Sequence, residues 1–268
     1  MEPVGNDLDC ADRPLSYAES ILDRLDTLLN QRFPVHPFDR DISRDEFETM
    51  IPDYVAMSTA FPFIQAGALC ACFESYQSRG IGVDERLAVS TAVAAYVVWD
   101  EFGAIGGNTV DGLAGIKILP NFDRKFHFAL LTRDLERLLG RALGPCLPGT
   151  ATAAYLAALK AGLSDPVDNQ CIVHMLAFER HAMAMISSLD RMVKRIFGPE
   201  QARGLEYFDT HVGSDSEGEA IHVAMTGGMI NRLVEPEQVE RFLDRCVEAY
   251  ALSYNWCEQL MVTAPSCN

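Results

Sequence analysis

The chain has 268 residues, 49% of them hydrophobic, enough for one large all-helical domain or two small ones, each with a sizeable core. Asp and Glu total 38 against 22 Lys and Arg, so the net charge at pH 7 is −16. A field of that sign repels phosphate backbones and anionic lipid, and we therefore expect neither nucleic acid nor a membrane surface as a partner.

Helical periodicity runs along most of the chain. Residues 1–14 are predicted to form a flexible arm, and a first helix is predicted in LSYAESILDRLDTLLN, whose apolar residues share one face. Two prolines then interrupt the chain, and a capping box from Ser43 to Glu46 opens another helix. Breaks rich in Gly, Pro and Asp separate further predicted helices at 62–78, 84–103, 123–142, 149–163, 166–197, 200–230 and 236–261. No strand pattern competes and no long linker occurs, so residues 15–268 are predicted to form a single all-α domain.

The cellular location is predicted from the N-terminal sequence, the length of the apolar stretches and the cysteines. MEPVGNDLDCADRP lacks a basic region followed by an apolar one, so we expect no signal peptide. We also expect no membrane span, since we read no stretch as apolar over the roughly 20 residues required. The eight cysteines form no CxxC pair, and several lie in apolar stretches as buried thiols do. A reduced, cytoplasmic protein is predicted.

Three predicted helices carry acidic residues in apolar surroundings, where an ionised carboxylate needs a cation. Asp100 and Glu101 end the apolar run of RLAVSTAVAAYVVWDEFG, and Glu179 lies between Phe178 and a run of Ala and Met. For Glu101 the alternative is a solvated carboxylate at a helix end, or one paired with an arginine.

The third helix contains HVGSDSEGEAIH, residues 211–222. At about 100° per residue, Asp215 and His222 fall about 40° and 20° from His211, and Glu219 about 80° from it. This stripe is either a ligand set or an exposed acidic face with incidental histidines. Carboxylates and imidazoles without a thiolate favour iron or manganese over structural zinc. Dimetal oxidase centres are built from carboxylates that converge from several helices.

These segments resemble the haem-oxygenase-like dimetal oxidases and oxygenases. Members of that family carry a DExGxG-like segment with a His ten residues after its Glu, a Glu on a second core helix, and YFxxHxxxDxxH on a third. This chain has WDEFGAIGG with Glu101, AFER with Glu179, and YFDTHVGSD with His211 and Asp215.

Two positions depart from the family pattern. Asp111 stands ten residues after Glu101 where the family has His, and Gly218 stands three residues after Asp215, with His222 one turn later. Asp111 is either a replacement ligand or a helix N-cap, and the site is either intact or damaged. We expect an intact site that His222 completes, with Glu219 in reserve.

The resemblance implies a haem-oxygenase-like helical bundle that binds two Fe(II) ions per chain and uses O2 as co-substrate, with no catalytic residues beyond the metal ligands. Those ligands are predicted to be Glu101, Asp111, Glu179, His211, Asp215 and His222.

The implied activity is oxidation of unactivated C–H bonds of a small aliphatic amino acid. Within the family, general similarity indicates the enzymes that desaturate and cyclise isoleucine or valine to an azetidine amino acid in antibiotic biosynthesis. An external electron donor and a homodimeric partner are compatible with this activity. The substrate carboxylate would need a cation, for which Arg180, Arg191 and Lys125 are candidates.

Two other classes of function stay open. One is a metal-free relative of the same fold, such as a thiaminase-like enzyme, whose buried acids serve as general acid and base. The other is a helical binding protein with a degenerate site, since one fold hosts many functions.

Overall fold

The computed structural model describes residues 15–102, 126–212, 225 and 227–263. Within these residues the regular structure is helical and no strand occurs, which confirms the all-α prediction. The predicted arm at residues 1–14 lies outside this part. The helices are α1 (Leu15–Arg32), α2 (Arg44–Ser78), α3 (Glu85–Glu101), α4 (His127–Leu139), α5 (Thr150–Leu163), α6 (Gln170–Phe197), α7 (Glu206–Val212), α8 (227–233) and α9 (Val239–Thr263).

The capping box predicted at the start of α2 is present. The Ser43 hydroxyl accepts a hydrogen bond from the Glu46 amide, and the Glu46 carboxylate accepts one from the Ser43 amide. The separate helix predicted to begin at residue 62 is wrong, because α2 continues through Pro52 and Pro62. Each proline removes one helical hydrogen bond, but packing of α2 against α3, α4 and α5 keeps the helix continuous.

The uncharged, mainly apolar stretch in α2 is longer than expected from the sequence. Residues 54–73 contain no charged side chain, and α2 is long and apolar enough to cross a membrane by length and composition alone. Half of its most apolar stretch is buried inside the protein. Packing against α3, α4, α5 and α9 accounts for the apolar composition of that buried half.

Two helices begin later than predicted because a residue with positive φ precedes them. Asn169, with φ of 64°, ends a 3₁₀ turn, and α6 starts only at Gln170. Gly204, with φ of 66°, lies in a turn, and α7 starts at Glu206 rather than at residue 200. A left-handed residue cannot continue a right-handed helix.

Buried aromatic side chains join α2, α5 and α9 in the core. The Trp256 ring stacks on Tyr155 at a centroid distance of 4.8 Å, and its indole N–H donates to the Thr152 hydroxyl at 2.9 Å. Tyr54 of α2 also stacks on Trp256, with ring centroids 6.4 Å apart. Its hydroxyl oxygen lies 3.2 Å from that of Tyr207 in α7. The core therefore connects directly to the helix that carries His211.

A candidate metal centre

Three residues from three helices meet at one end of the bundle. Glu101 is the last residue of α3, His127 is the first residue of α4, and His211 lies in α7. One ligand atom from each lies within 4.8 Å of the other two. Nδ1 of His127 is 3.6 Å from Oε2 of Glu101, and the two imidazole rings stand nearly perpendicular with centroids 4.6 Å apart. One carboxylate and two imidazoles thus form a compact group of metal-ligand type.

The proton on His211 can be assigned from its backbone contact. Nδ1 of His211 lies 2.7 Å from the carbonyl oxygen of Tyr207, one turn earlier in α7. A carbonyl oxygen only accepts hydrogen bonds, so Nδ1 carries the proton. In the neutral ring Nε2 then keeps its lone pair, and metal-binding histidines are commonly oriented in this way.

The surroundings of His211 keep its ring neutral. The pKa of His211 is lowered from 6.5 to about 4, chiefly by burial and also by the neighbouring His127, while Glu101 acts in the opposite direction. Neutral imidazole is the form that binds metal ions. At pH 7 the group therefore offers an uncharged ligand nitrogen.

A buried carboxylate ties α7 to α4. Asp134, only 3% exposed, lies two turns after His127 in α4. Its Oδ2 accepts a hydrogen bond from the backbone N–H of Tyr207 at 2.7 Å. Burial raises the pKa of Asp134, and the backbone amides that it accepts from lower it. Because Asp134 holds the N-terminal turn of α7, it fixes the helix that carries His211 relative to the helix that carries His127.

The tyrosines beneath the group are held as neutral phenols. Burial raises the pKa of both Tyr54 and Tyr207, and the Glu101 carboxylate raises each further. The Tyr207 ring also lies 4.4 Å from the His211 ring. The floor of the site is therefore aromatic and uncharged at neutral pH.

Phenylalanines adjoin the group in the sequence and pack together. Phe102 follows Glu101 and Phe126 precedes His127, and their ring centroids are 4.9 Å apart. Phe63 of α2 contacts Phe102 edge to face at 5.9 Å. Phe63 is 60% exposed, so this cluster forms an apolar rim at the surface beside the group.

The structure describes three of the predicted ligands. It brings Glu101 and His211 together. Glu179 is half-buried in α6 and does not belong to the compact group. The remaining predicted ligands and the reserve ligand lie outside the described residues: Asp111, Asp215, His222 and Glu219.

His127 is a member of the group that the sequence analysis missed. It stands in KFHFALL, between two phenylalanines at the start of a predicted amphipathic helix. The sequence offers one hint, since His127 is one of six histidines and is flanked by aromatic residues. No characteristic spacing links it to another predicted ligand. Only the fold places it beside Glu101.

A second group of possible ligands, His36, His181 and Cys257, is fully buried elsewhere in the protein. Nδ1 of His36 accepts the Phe38 amide proton at 3.1 Å, so the neutral ring is protonated on Nε2, which donates to Nε2 of His181 at 3.3 Å. Burial raises the pKa of the Cys257 thiol well above its usual value. A metal ion here would have to displace that proton and ionise a buried thiol. The chemistry of the donors therefore favours the group at Glu101.

The cations predicted for a substrate carboxylate already face acidic residues. Arg191 makes two hydrogen bonds of 2.9 Å to the Asp39 carboxylate. Arg180 lies 3.6 Å from Asp26. Lys125 lies outside the described part of the chain.

Fold and site together define an all-α protein with a candidate carboxylate–histidine metal centre. No protein-family model and no curated protein sequence matches the chain. Two crystal structures of a CADD-like protein of unknown function from Nostoc punctiforme share the fold, with TM-scores of 0.65 and 0.62 and 15% sequence identity in each case. The matches cover 94% and 93% of this chain and 100% and 96% of the other. This chain therefore has the helical fold of a CADD-like protein over almost its whole length.

Proposed function

We propose that this protein is a non-haem iron oxidase that uses O2. The observation that carries the proposal is the meeting of Glu101, His127 and His211 at the ends of three helices. Two histidines and one carboxylate are the ligand set typical of non-haem Fe(II) oxygenases. Bound Fe(II) would supply electrons to O2 and so activate it for the oxidation of an aliphatic C–H bond, which no side chain performs unaided.

The resemblance to the dimetal oxidases supports a second iron. We assign to the two ions the compact group together with Glu179, Asp111, Asp215 and His222. His127 supplies an imidazole beside Glu101, and the family pattern also expects one near that residue, where the sequence has Asp111. The likeness to the CADD-like protein supports the helical frame that such a centre requires.

The surrounding residues have defined tasks in this proposal. The Tyr207 carbonyl keeps the proton of His211 on Nδ1, so that Nε2 faces the metal. Asp134 fixes the position of α7 relative to α4 through its hydrogen bond to the Tyr207 backbone N–H. The rim of Phe63, Phe102 and Phe126 offers an apolar contact for an aliphatic side chain and limits the access of water.

The proposed substrate is a small aliphatic amino acid, isoleucine or valine, that is desaturated or cyclised to an azetidine amino acid in natural-product biosynthesis. The family resemblance supports this choice. We place the protein in the cytoplasm, in keeping with its reduced cysteines, and the six cysteines that the structure describes are all free thiols.

Oxygen consumption tests the proposal. Protein loaded with Fe(II) without oxygen is mixed with O2, an external reductant and each of a panel of aliphatic amino acids. We expect isoleucine or valine to raise oxygen uptake above the substrate-free rate and to lose hydrogen atoms, as read by mass spectrometry. Glu101→Ala is the control and should show no uptake. Iron loading without uptake would remove the amino-acid substrate, and a protein that binds no iron would favour the metal-free alternatives.

A further inference from the structure

A cavity of about 370 Å³ lies at the opposite end of α3 from the candidate metal centre. Its walls come from the C-terminal end of α2, the first turn of α3, the turn before α6 and the first turns of α9. The 17 residues of α3 separate it from Glu101, a helix length of about 25 Å. The cavity is therefore not part of the site described above.

Four of the residues that line the cavity are arginines, in a protein whose net charge is −16. Arg79 directly follows α2, Arg86 lies in α3, and Arg241 and Arg245 lie in α9. Among the side chains that the structure describes in the lining, Asp84 is the single acidic one. A concentration of guanidinium groups in an acidic protein indicates a site for an anion, because each group offers paired N–H donors with fixed geometry.

Asp84 and Glu85, the acidic residues next to Arg86 in the sequence, already have other partners. The Asp84 carboxylate caps α3 by accepting the Leu87 amide at 2.8 Å, and it also accepts the Tyr76 hydroxyl at 3.2 Å. Glu85, next in the sequence to Arg86, pairs with Arg232 at 2.7 Å.

On α9, Glu240 precedes Arg241 and pairs with Arg24 at 2.6 Å. Arg79 and Arg86 form no ion pair with any residue in the described part of the chain. Their charges are thus available to a ligand.

The rest of the wall combines apolar, aromatic and polar side chains. Its apolar and aromatic members include Tyr76 and Phe242, which are buried, and Ile81 and Val167, which are exposed. Asn169 and Gln238 add polar groups. A cavity of this volume suits a small molecule. Its composition suits one that combines an anionic group with a ring or an alkyl part.

We propose that this cavity binds a small phosphorylated molecule with an aromatic or apolar portion. A phosphate monoester carries a charge of about −1.5 to −2 and three acceptor oxygens, so it can engage two or more guanidinium groups at once. A carboxylate carries one charge and two acceptor oxygens. Arginines from three segments of the chain therefore match a phosphate better than a carboxylate, and binding does not depend on iron at the distant centre.

Calorimetric titration of the full chain with phenyl phosphate tests the inference, with benzoate as the carboxylate of similar shape and inorganic phosphate as the ligand without a ring. We expect phenyl phosphate to bind saturably at one site per chain, more tightly than either of the other two. The double variant Arg79→Gln/Arg86→Gln should weaken binding by at least about tenfold. The matched control is Arg203→Gln, which removes an exposed arginine paired with Glu200 elsewhere on the surface.

The single variant Arg79→Gln changes an exposed side chain without a described ion pair and keeps the test valid if the double variant does not fold. It should weaken binding by about threefold or more. Three results would overturn the inference: no saturable binding of phenyl phosphate, benzoate binding as tightly as phenyl phosphate, or unchanged affinity in the folded arginine variants.

Discussion

Nδ1 of His211 donates a hydrogen bond to the Tyr207 carbonyl oxygen at 2.7 Å, while the Tyr207 backbone N–H donates one to Asp134 at 2.7 Å. The two bonds form a chain from α4 to the imidazole ring. Asp134 positions Tyr207, and Tyr207 sets both the orientation and the tautomer of His211. The ability of the group to bind a metal therefore depends on a buried carboxylate that is not itself a ligand.

Asp134→Ala tests this dependence. The variant leaves the buried Tyr207 amide without its acceptor, which costs about 1–3 kcal/mol of unfolding free energy. It should also lower iron affinity about 10- to 100-fold by releasing His211. Asp134→Asn keeps one acceptor oxygen, so it should lose less stability and less iron affinity than Asp134→Ala. Glu206→Ala is the control, because it removes an exposed pair with Arg133 at the same end of α7 and should leave iron affinity unchanged. Equal iron affinity in Asp134→Ala and the parent protein would remove the positioning role.

The buried histidine pair predicts a loss of stability in acid. Burial lowers the pKa of His36 to about 4 and that of His181 well below 6.5. In the unfolded chain both titrate near 6.5, so below that pH the unfolded state binds protons that the folded state excludes. The stabilising contribution is complete above pH 6.5 and is lost as the pH falls toward 4. For His36 the loss is about 2 kcal/mol at pH 5.

Urea unfolding of metal-free protein at pH 7 and pH 5 measures this effect. His36→Gln should be less stable than the parent at pH 7 but should show a smaller drop between the two pH values. His174→Gln is the comparison, since burial lowers the pKa of His174 as well but the residue lies outside the pair. A parent and a His36→Gln protein with the same pH dependence would show that the His36 ring does not titrate as described.

Substitution by Ala should have opposite effects on stability at Gly162 and at Gly67. A Cβ at Gly162 of α5 would overlap the His174 ring of α6, whereas nothing lies within 4 Å of a Cβ at Gly67 in α2. Gly162→Ala should therefore cost about 1–3 kcal/mol, and Gly67→Ala should stabilise α2 by about 0.5–1 kcal/mol. Thermal unfolding of both variants and of Gly162→Ala/His174→Ala checks this. The double variant should recover part of the loss, and no recovery would mean that His174 is not the obstacle.

Asp111, outside the described residues, retains its predicted role as a ligand of one iron. Asp111→Asn keeps the shape of the side chain and removes its charge, so it should leave about one iron per chain, and Asp111→His should be tolerated better than Asp111→Ala. Metal analysis after anaerobic loading gives the answer. If Asp111 is a helix N-cap instead, Asn is an equally good cap, and two irons with full oxygen consumption would remove Asp111 from the ligand set.

The sequence predicted those features that depend on local pattern. Helical periodicity identified the all-α fold, and the family motifs pointed to Glu101 and His211, which the fold brings together. The helix start predicted at residue 62 was wrong because tertiary packing outweighed a local signal: the hydrogen bond lost at Pro62 is offset by burial of α2 among its neighbours.

His127 could not be predicted in the same way. Its place beside Glu101 arises where the end of α3 meets the start of α4, not from any spacing within a helix. The arginine cavity has the same origin, since Arg79 follows α2, Arg86 lies in α3 and Arg245 lies in α9, and these segments meet only in the folded chain. Side chains that cluster at the ends of different helices leave little trace in the hydrophobic periodicity of the sequence. Such clusters become visible only in the three-dimensional structure.

Iron content after anaerobic Fe(II) loading and desalting tests the metal centre most directly. The comparison is between the parent, His127→Ala and the control His174→Ala, which removes another partly buried histidine. We expect the parent to retain iron, His127→Ala to lose most of it while remaining folded, and His174→Ala to bind as much as the parent. Equal iron in the parent and in folded His127→Ala would contradict the assignment of Glu101, His127 and His211 as a metal centre.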